Sequence, residues 1–306
     1  MNPQTHQAEL WRFEALDTWF FKESRPLEAV GGAQLGSSFA PPARTLIGAI
    51  RTALGDAYGV QWQEYARRDD HPLRALMGSP TDLGPLHFEG PYLLHKGQRL
   101  YPAPLSLMVG KTGYTHLRPN DKPQHCDLGW VRLPQKTHAK LADAKPAEGC
   151  FLNESGFQAV LRGEAPKTSD FVHANDLFSK EARLGIAREH QTRRPQDGLL
   201  YQTQHVRPDA HTAIGLSLRG LDSQQFTRLS RQGMARLGAE GRLAAWSREQ
   251  VKPLPAIAIK SHRLMLCLLT HAAFERGWLP DGFSEVSGEL NGRTWTHWQG
   301  ELAGKT

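Results

Sequence analysis

Between Leu16 and Gly55 the chain passes from a nearly unbroken apolar segment, LDTWFF, through a loop rich in Gly, Ser and Pro, into SSFAPPARTLIGAIRTALG. No other stretch restricts the fold so tightly. An apolar run without alternation, Leu16–Phe21, reads as a short strand buried on both faces. In the second segment Ser38 is placed to cap a helix. Pro41 or Pro42 suits a first helical turn, where a missing N–H costs nothing. Leu46, Ile47, Ile50 and Leu54 share one stripe at helical spacing, and Gly55 supplies the stop. Strand, loop and amphipathic helix in this order open a β-α-β unit of the ferredoxin-like kind, so an α+β fold is expected.

The loop and helix also carry cations. Lys22 and Arg25 precede a helix N-terminus, where backbone N–H groups and the helix dipole favour an anion. Arg44 and Arg51, seven apart, project from the same side of the helix. Solvent-facing arginines are the plain alternative.

Further along, Phe88–Leu107 reads as a hairpin with LHKGQR as its turn. From Val109 to about Lys167 turn-formers, lysines and prolines dominate, which points to a long irregular insertion. A second hairpin follows, with Ala182–Ala187 and Leu199–Val206 as strands around RRPQDG. His211–Arg219 alternates as a strand, and Ser223 to about Leu237 reads as a helix with Phe226, Leu229, Gly233 and Leu237 inward. GAEGRLAAW gives a Gly-rich loop and strand, and Pro255–Ala273 is apolar. The expected organisation is two ferredoxin-like (RRM-like) domains. The first spans 1–210, with an insertion at about 109–175; the second spans 211–306 and is incomplete at its end.

The second hairpin holds the densest charge. Lys180, Arg183, Arg188, Arg193, Arg194 and Arg207 outnumber Glu181, Glu189 and Asp197, with His190 and His205 beside them. The guanidinium fork donates two parallel hydrogen bonds to a phosphate. A period of two puts Leu199, Tyr201, Thr203, His205 and Arg207 on one face, where Tyr201 is placed to stack a base. A hydrated basic hairpin with Tyr201 half-buried competes with that reading.

Bulk properties narrow the classes without deciding among them. The chain has 306 residues, 39% of them hydrophobic, and a formal net charge of +6, which favours an anionic partner. Three scattered cysteines, Cys126, Cys150 and Cys267, form no CxxC pair, so neither a disulfide framework nor a zinc ribbon is expected. The start, MNPQTHQAELWRFE, lacks signal-peptide character, and Leu264–Ala273 is too short to span a bilayer. A cytoplasmic protein without membrane contact is expected. Leu237–Ala244, LGAEGRLA, is neither a P-loop nor a GxGxxG motif; its glycines permit close backbone approach to a ligand. Of the 14 histidines, His116, His125, His138 and His173 lie in or beside the insertion without metal-ligand spacing. No metal, no cofactor and no catalytic residue is expected; a metal-independent endoribonuclease with a histidine base is the rival.

Three motifs together resemble the Cmr family, and within it the subunit of type III-B CRISPR effectors that binds the 5′ handle of the guide RNA. They are DTWFFKESRP with SSFAPPARTLIGAIRTAL, then EARLGIAREHQTRRPQDGLLYQTQHVR, then RLGAEGRLA, where Ala239 replaces a glycine. The resemblance implies a non-catalytic RNA-binding member of the RAMP superfamily in antiviral defence. Such a subunit clamps the 5′ handle, caps the backbone filament, and touches the large polymerase/cyclase subunit and the first backbone subunit. RNA-facing positions implied are Lys22, Arg25, Arg44, Arg51, Arg183, Arg193, Arg194, Tyr201 and Arg207, together with His205. The loop Gly238, Glu240, Gly241 and Arg242 is implied with them.

Overall fold

The computed structural model describes residues 8–23, 33–111, 113–127, 129–137, 141, 143–189, 191–192, 194–255, 268–270, 272, 274, 283–290 and 293–300. In chain order its principal elements begin with β1 (Glu9–Ala15), α1 (Ala43–Ala57) and β2 (His87–His95). Next come the long strands β3 (Phe178–Arg188) and β4 (Pro195–Pro208), then β5 (Thr212–Arg219). The helix α2 (Ser223–Arg228) and the strands β6 (Gln232–Arg236) and β7 (Leu243–Gln250) follow.

The first strand lies before LDTWFF, not within it. Trp11 and Phe13 of β1 are fully buried, and Leu10 packs on the opposite face with Leu94 and Ala213. Residues 16–21 instead carry the chain off the sheet. Trp19 exchanges backbone hydrogen bonds of 2.8 Å with Val206, and Trp19, Phe20 and Phe21 are all buried on the way. An apolar crossing segment has the same composition as a buried strand, which is why the two are confused.

β1 occupies the middle of a six-stranded antiparallel sheet in the order β6-β7-β1-β5-β2, with Gln98–Arg99 at the edge. Taken along the chain, β1, α1, β2, β5, α2 and β7 give the β-α-β-β-α-β succession of one ferredoxin-like unit. Among the described residues no other sheet has this order. Residue 210 therefore falls between strands of a single sheet, and residues 212–250 complete what residue 9 begins. α1 presses Leu46, Ala49, Ile50 and Leu54 onto Trp11, Phe13, Ile214 and Leu216. Burial of each large apolar side chain there contributes roughly 1.5–3 kcal/mol.

The helix from Ser223 is shorter than its pattern. It ends at Arg228 because the buried Arg248 side chain donates to the carbonyls of Phe226 (3.0 Å), Leu229 (2.7 Å) and Ser230 (2.8 Å). Those carbonyls are the orphans of a helix C-terminus. Gly233 then belongs to β6.

β3 and β4 pair from Phe178↔Pro208 to Ile186↔Leu200, shift register, and resume at Arg188↔Pro195. The turn is accordingly closer to Glu189–Arg194 than to RRPQDG, closed by the Glu189 N–H on the Arg194 carbonyl at 2.9 Å. The insertion is also more ordered than expected. Short strands such as Leu107–Gly110 and Gly113–Pro119, and a helix Glu154–Leu161 capped by Asn153, surround their own core. Tyr101 and Phe157 stack there with ring centroids 4.0 Å apart. Strands this short, separated by Gly, Pro and Lys, leave no readable period. Among the described residues no helix is long and apolar enough to cross a membrane.

Candidate nucleic-acid interface

An open groove of about 1050 Å³ runs between α1 and the edge strand β6. Thr45, Gly48 and Thr52 of α1 line one wall, β6 lines the other, and Lys22 and Gly238 also belong to its lining. No side chain caps α1 at Pro42 and no acid sits in its first turn, so its positive end is open to an anion. Ser38 is not the cap; its N–H donates to the Phe21 carbonyl at 2.9 Å.

The Gly238–Gly241 loop stands over the crossing segment. Ala239 N–H donates to the Phe20 carbonyl at 2.7 Å, and Leu237 N–H to the Arg242 carbonyl at 2.8 Å. Gly238 has φ +93°, and a Cβ there would lie 2.5 Å from the Phe20 oxygen. Only glycine fits so close an approach.

Beneath the loop His205 is wholly buried, stacked on Phe20 with centroids 5.0 Å apart. Its Nδ1 lies 3.0 Å from Thr18 Oγ1 and its Nε2 3.2 Å from a Glu240 carboxylate oxygen. Burial and the nearby Arg242 charge hold its pKa below the ordinary 6.5, against the opposing pull of Glu240. The ring thus lies between β4 and the loop and does not face solvent.

Around it lies a ring of charge. Asp17 accepts from Arg183 at 2.9 Å, Arg207 at 3.0 Å and Arg242 at 3.3 Å. Glu181 holds Arg183 at 2.7 Å and Arg207 at 2.6 Å, and Glu240 lies 3.5 Å from Arg242. Hydrogen bonds from Arg183 and Arg207 depress the Asp17 carboxyl, and those from Arg207 and Arg183 depress Glu181.

The sequence-derived positions therefore divide. Lys22 lines the groove, and Arg44 and Arg194 are exposed. Arg183, Arg207, Glu240 and Arg242 converge in the charge ring. Tyr201 is half-buried, its ring laid across Gly185 of β3. The face it shares with Thr203 and His205 points inward. The outward face carries Leu184, Ile186 and Leu200, each at least half exposed. Arg51 departs from expectation: it donates to Tyr65 Oη at 3.1 Å and the Ser79 carbonyl at 2.8 Å, away from the groove. Arg25 and Arg193 lie outside the described residues. The hub that sequence reading missed is Asp17, whose one sign was a lone acid inside an apolar run. Of the insertion histidines, His116, His125 and His173 each have partners of their own and none lines the groove. His138 lies outside the described residues.

The family model of the CRISPR-associated protein (Cas_Cmr3) matches residues 11–302. The chain belongs to this Cmr family of CRISPR-associated proteins, as its three motifs indicated. No curated protein matches the sequence. Among solved structures, a chain of type III-B Cmr-beta bound to cognate target RNA and AMPPnP is 13% identical with TM-score 0.40. The match covers 80% of this chain and 64% of that one, so this chain spans less than two thirds of that neighbour's length. A chain of Cmr-beta bound to cognate target RNA is 14% identical with TM-score 0.43, covering 82% and 67%. A chain of the apo state is 12% identical with TM-score 0.37, covering 81% and 99%. At such scores the family match alone carries the assignment.

Proposed function

We propose that this chain is the non-catalytic RNA-binding subunit of a type III-B CRISPR effector, gripping the 5′ handle of the guide RNA. The observation that most favours this reading is the meeting of three distant motifs. Lys22, the uncapped end of α1 and the Gly238–Gly241 loop border one groove, and the hairpin arginines adjoin that loop. Phosphates supply affinity by charge and by backbone N–H groups, and the glycines let the chain approach the RNA closely. The same reading makes the large polymerase/cyclase subunit and the first backbone subunit neighbours of this chain, which caps the filament in the cytoplasm.

The test is binding of a labelled 5′-handle RNA across a salt series, with full repeat RNA in a parallel cleavage assay. Binding should be salt-sensitive and leave the RNA intact. Replacing Lys22 and Arg194 together by alanine should lower the salt slope by about 2, one for each phosphate contact removed. Cleavage at one repeat position, lost on a histidine substitution, would replace this reading with the endoribonuclease.

A further inference from the structure

We propose that Asp17 is a built-in counter-ion occupying a phosphodiester subsite, and that an RNA phosphate displaces its carboxylate on binding. The inference rests on the RNA-binding reading above and adds a residue that reading did not use.

Three guanidinium groups, from β3, from β4 and from the far side of the glycine loop, point at one carboxylate within 3.3 Å. A staple between these segments needs a single pair. The side chains of Asp17 and Arg207 are 48% and 45% exposed, where an ion pair contributes little to stability. Three like charges gathered at one point need anions among them, and Asp17 is the one acid that all three arginines share. Several arginine forks converging on one acceptor is the way proteins hold a phosphate.

The remaining carboxylates are arranged differently. Glu181 orients Arg183 and Arg207, and Glu240 lies 3.2 Å from the buried His205 while facing Arg242. Each arginine therefore keeps one partner when Asp17 leaves. Among the described residues the bonds on the Asp17 carboxylate come from these three arginines. With Asp17 present the three arginines face three acids and the cluster is neutral. With Asp17 swung out it carries one positive charge, which one phosphodiester balances. The cradle also lies beside the groove, because Arg242 follows the loop whose Gly238 and Ala239 line it.

The decisive variant is Asp17→Asn, with Glu181→Gln as its opposite. Asp17→Asn should bind 5′-handle RNA about three- to tenfold more tightly at low salt, the gain shrinking as salt rises. Glu181→Gln should weaken binding, because it releases two forks from their orientation. Equal or weaker binding by a folded Asp17→Asn protein overturns the proposal. So does a failure of that variant to fold, which would make the carboxylate a structural staple. If neither wild type nor variant binds handle RNA, the functional reading fails, and inorganic phosphate then tests the subsite by itself. A larger phosphate-induced rise in Tm for Asp17→Asn than for wild type keeps the subsite; an equal rise removes it.

Discussion

The groove beside α1 and the charge ring beside β4 are both basic in sequence, yet the fold uses their charge in opposite ways. In the groove Lys22 faces open space next to an uncapped helix end. In the ring every arginine is matched to acids contributed by other segments. A count of cations along the sequence describes both places equally well. What separates them is the position of Asp17 and Glu240, one distant in sequence from the hairpin on each side. The amount of positive charge is thus a property of composition, and its availability is a property of tertiary structure.

Substitutions that force an arginine or a glycine out of its role sharpen this contrast, and the largest effect belongs to the most hidden cation. Arg248 forms a buried pair with Glu9 at 2.5 Å and closes the end of α2. Arg248→Ala should cost up to about 3–5 kcal/mol, because the buried Glu9 then keeps the longer contact of 3.6 Å to the exposed Arg231 and loses its close partner. Urea unfolding measures it, and a loss under 1 kcal/mol would mean that water reaches Glu9.

Gly238→Ala should come next, at about 1–3 kcal/mol, since φ +93° and the Phe20 carbonyl both oppose a Cβ. It should also weaken handle binding by distorting the loop. Normal stability together with normal binding would show that the loop gives way freely.

Arg51→Ala then serves as the counterpart to Lys22→Ala. Losing the bonds to Tyr65 and Ser79 should lower stability by about 1–2 kcal/mol and leave the salt slope of binding unchanged. Lys22→Ala should do the reverse, lowering the slope by about one with little change in Tm. A changed slope in Arg51→Ala would place that side chain on the RNA after all.

The smallest effect is that of pH. His205 is held below its ordinary 6.5, so its contribution is complete above that pH and is lost as pH falls from there through the lowered value. Glu181 and Asp17 are held below 4.5 and 3.8, so their contribution is complete above those values and disappears as pH falls through the folded ones. Denaturant midpoints should therefore decline in two stages between pH 7 and pH 3. A flat response from pH 7 to pH 5 would contradict a neutral, buried His205.

The legible parts of this molecule were those governed by local rules. The stripe on α1, the Lys96–Gly97 turn and the strand at 212–219 follow from spacing and turn chemistry, and all are present. β1 was missed because its apolar residues are interleaved with Glu9, Arg12 and Glu14, whereas LDTWFF beside it is purer. Alternation grouped Tyr201, Thr203 and His205 correctly, but period alone does not say which face is inward. That depends on Phe20 and Trp19 arriving from about 185 residues away along the chain. The groove residues Lys22 and Gly238 were found by motif order, and Asp17 was not, since a lone acid acquires meaning only from the arginines that reach it.

The central position of β1 also sets a timetable. Both of its neighbours, β5 and β7, are made long after it, and β7 follows by roughly 230 residues, or about 10–45 s at ordinary elongation rates. Until β5 is made a strand bearing Trp11 and Phe13 has two unsatisfied edges, and until β7 is made it has one. A nascent chain of this design has to shelter its first strand on the ribosome, and a truncation anywhere before residue 243 leaves the sheet open through its middle.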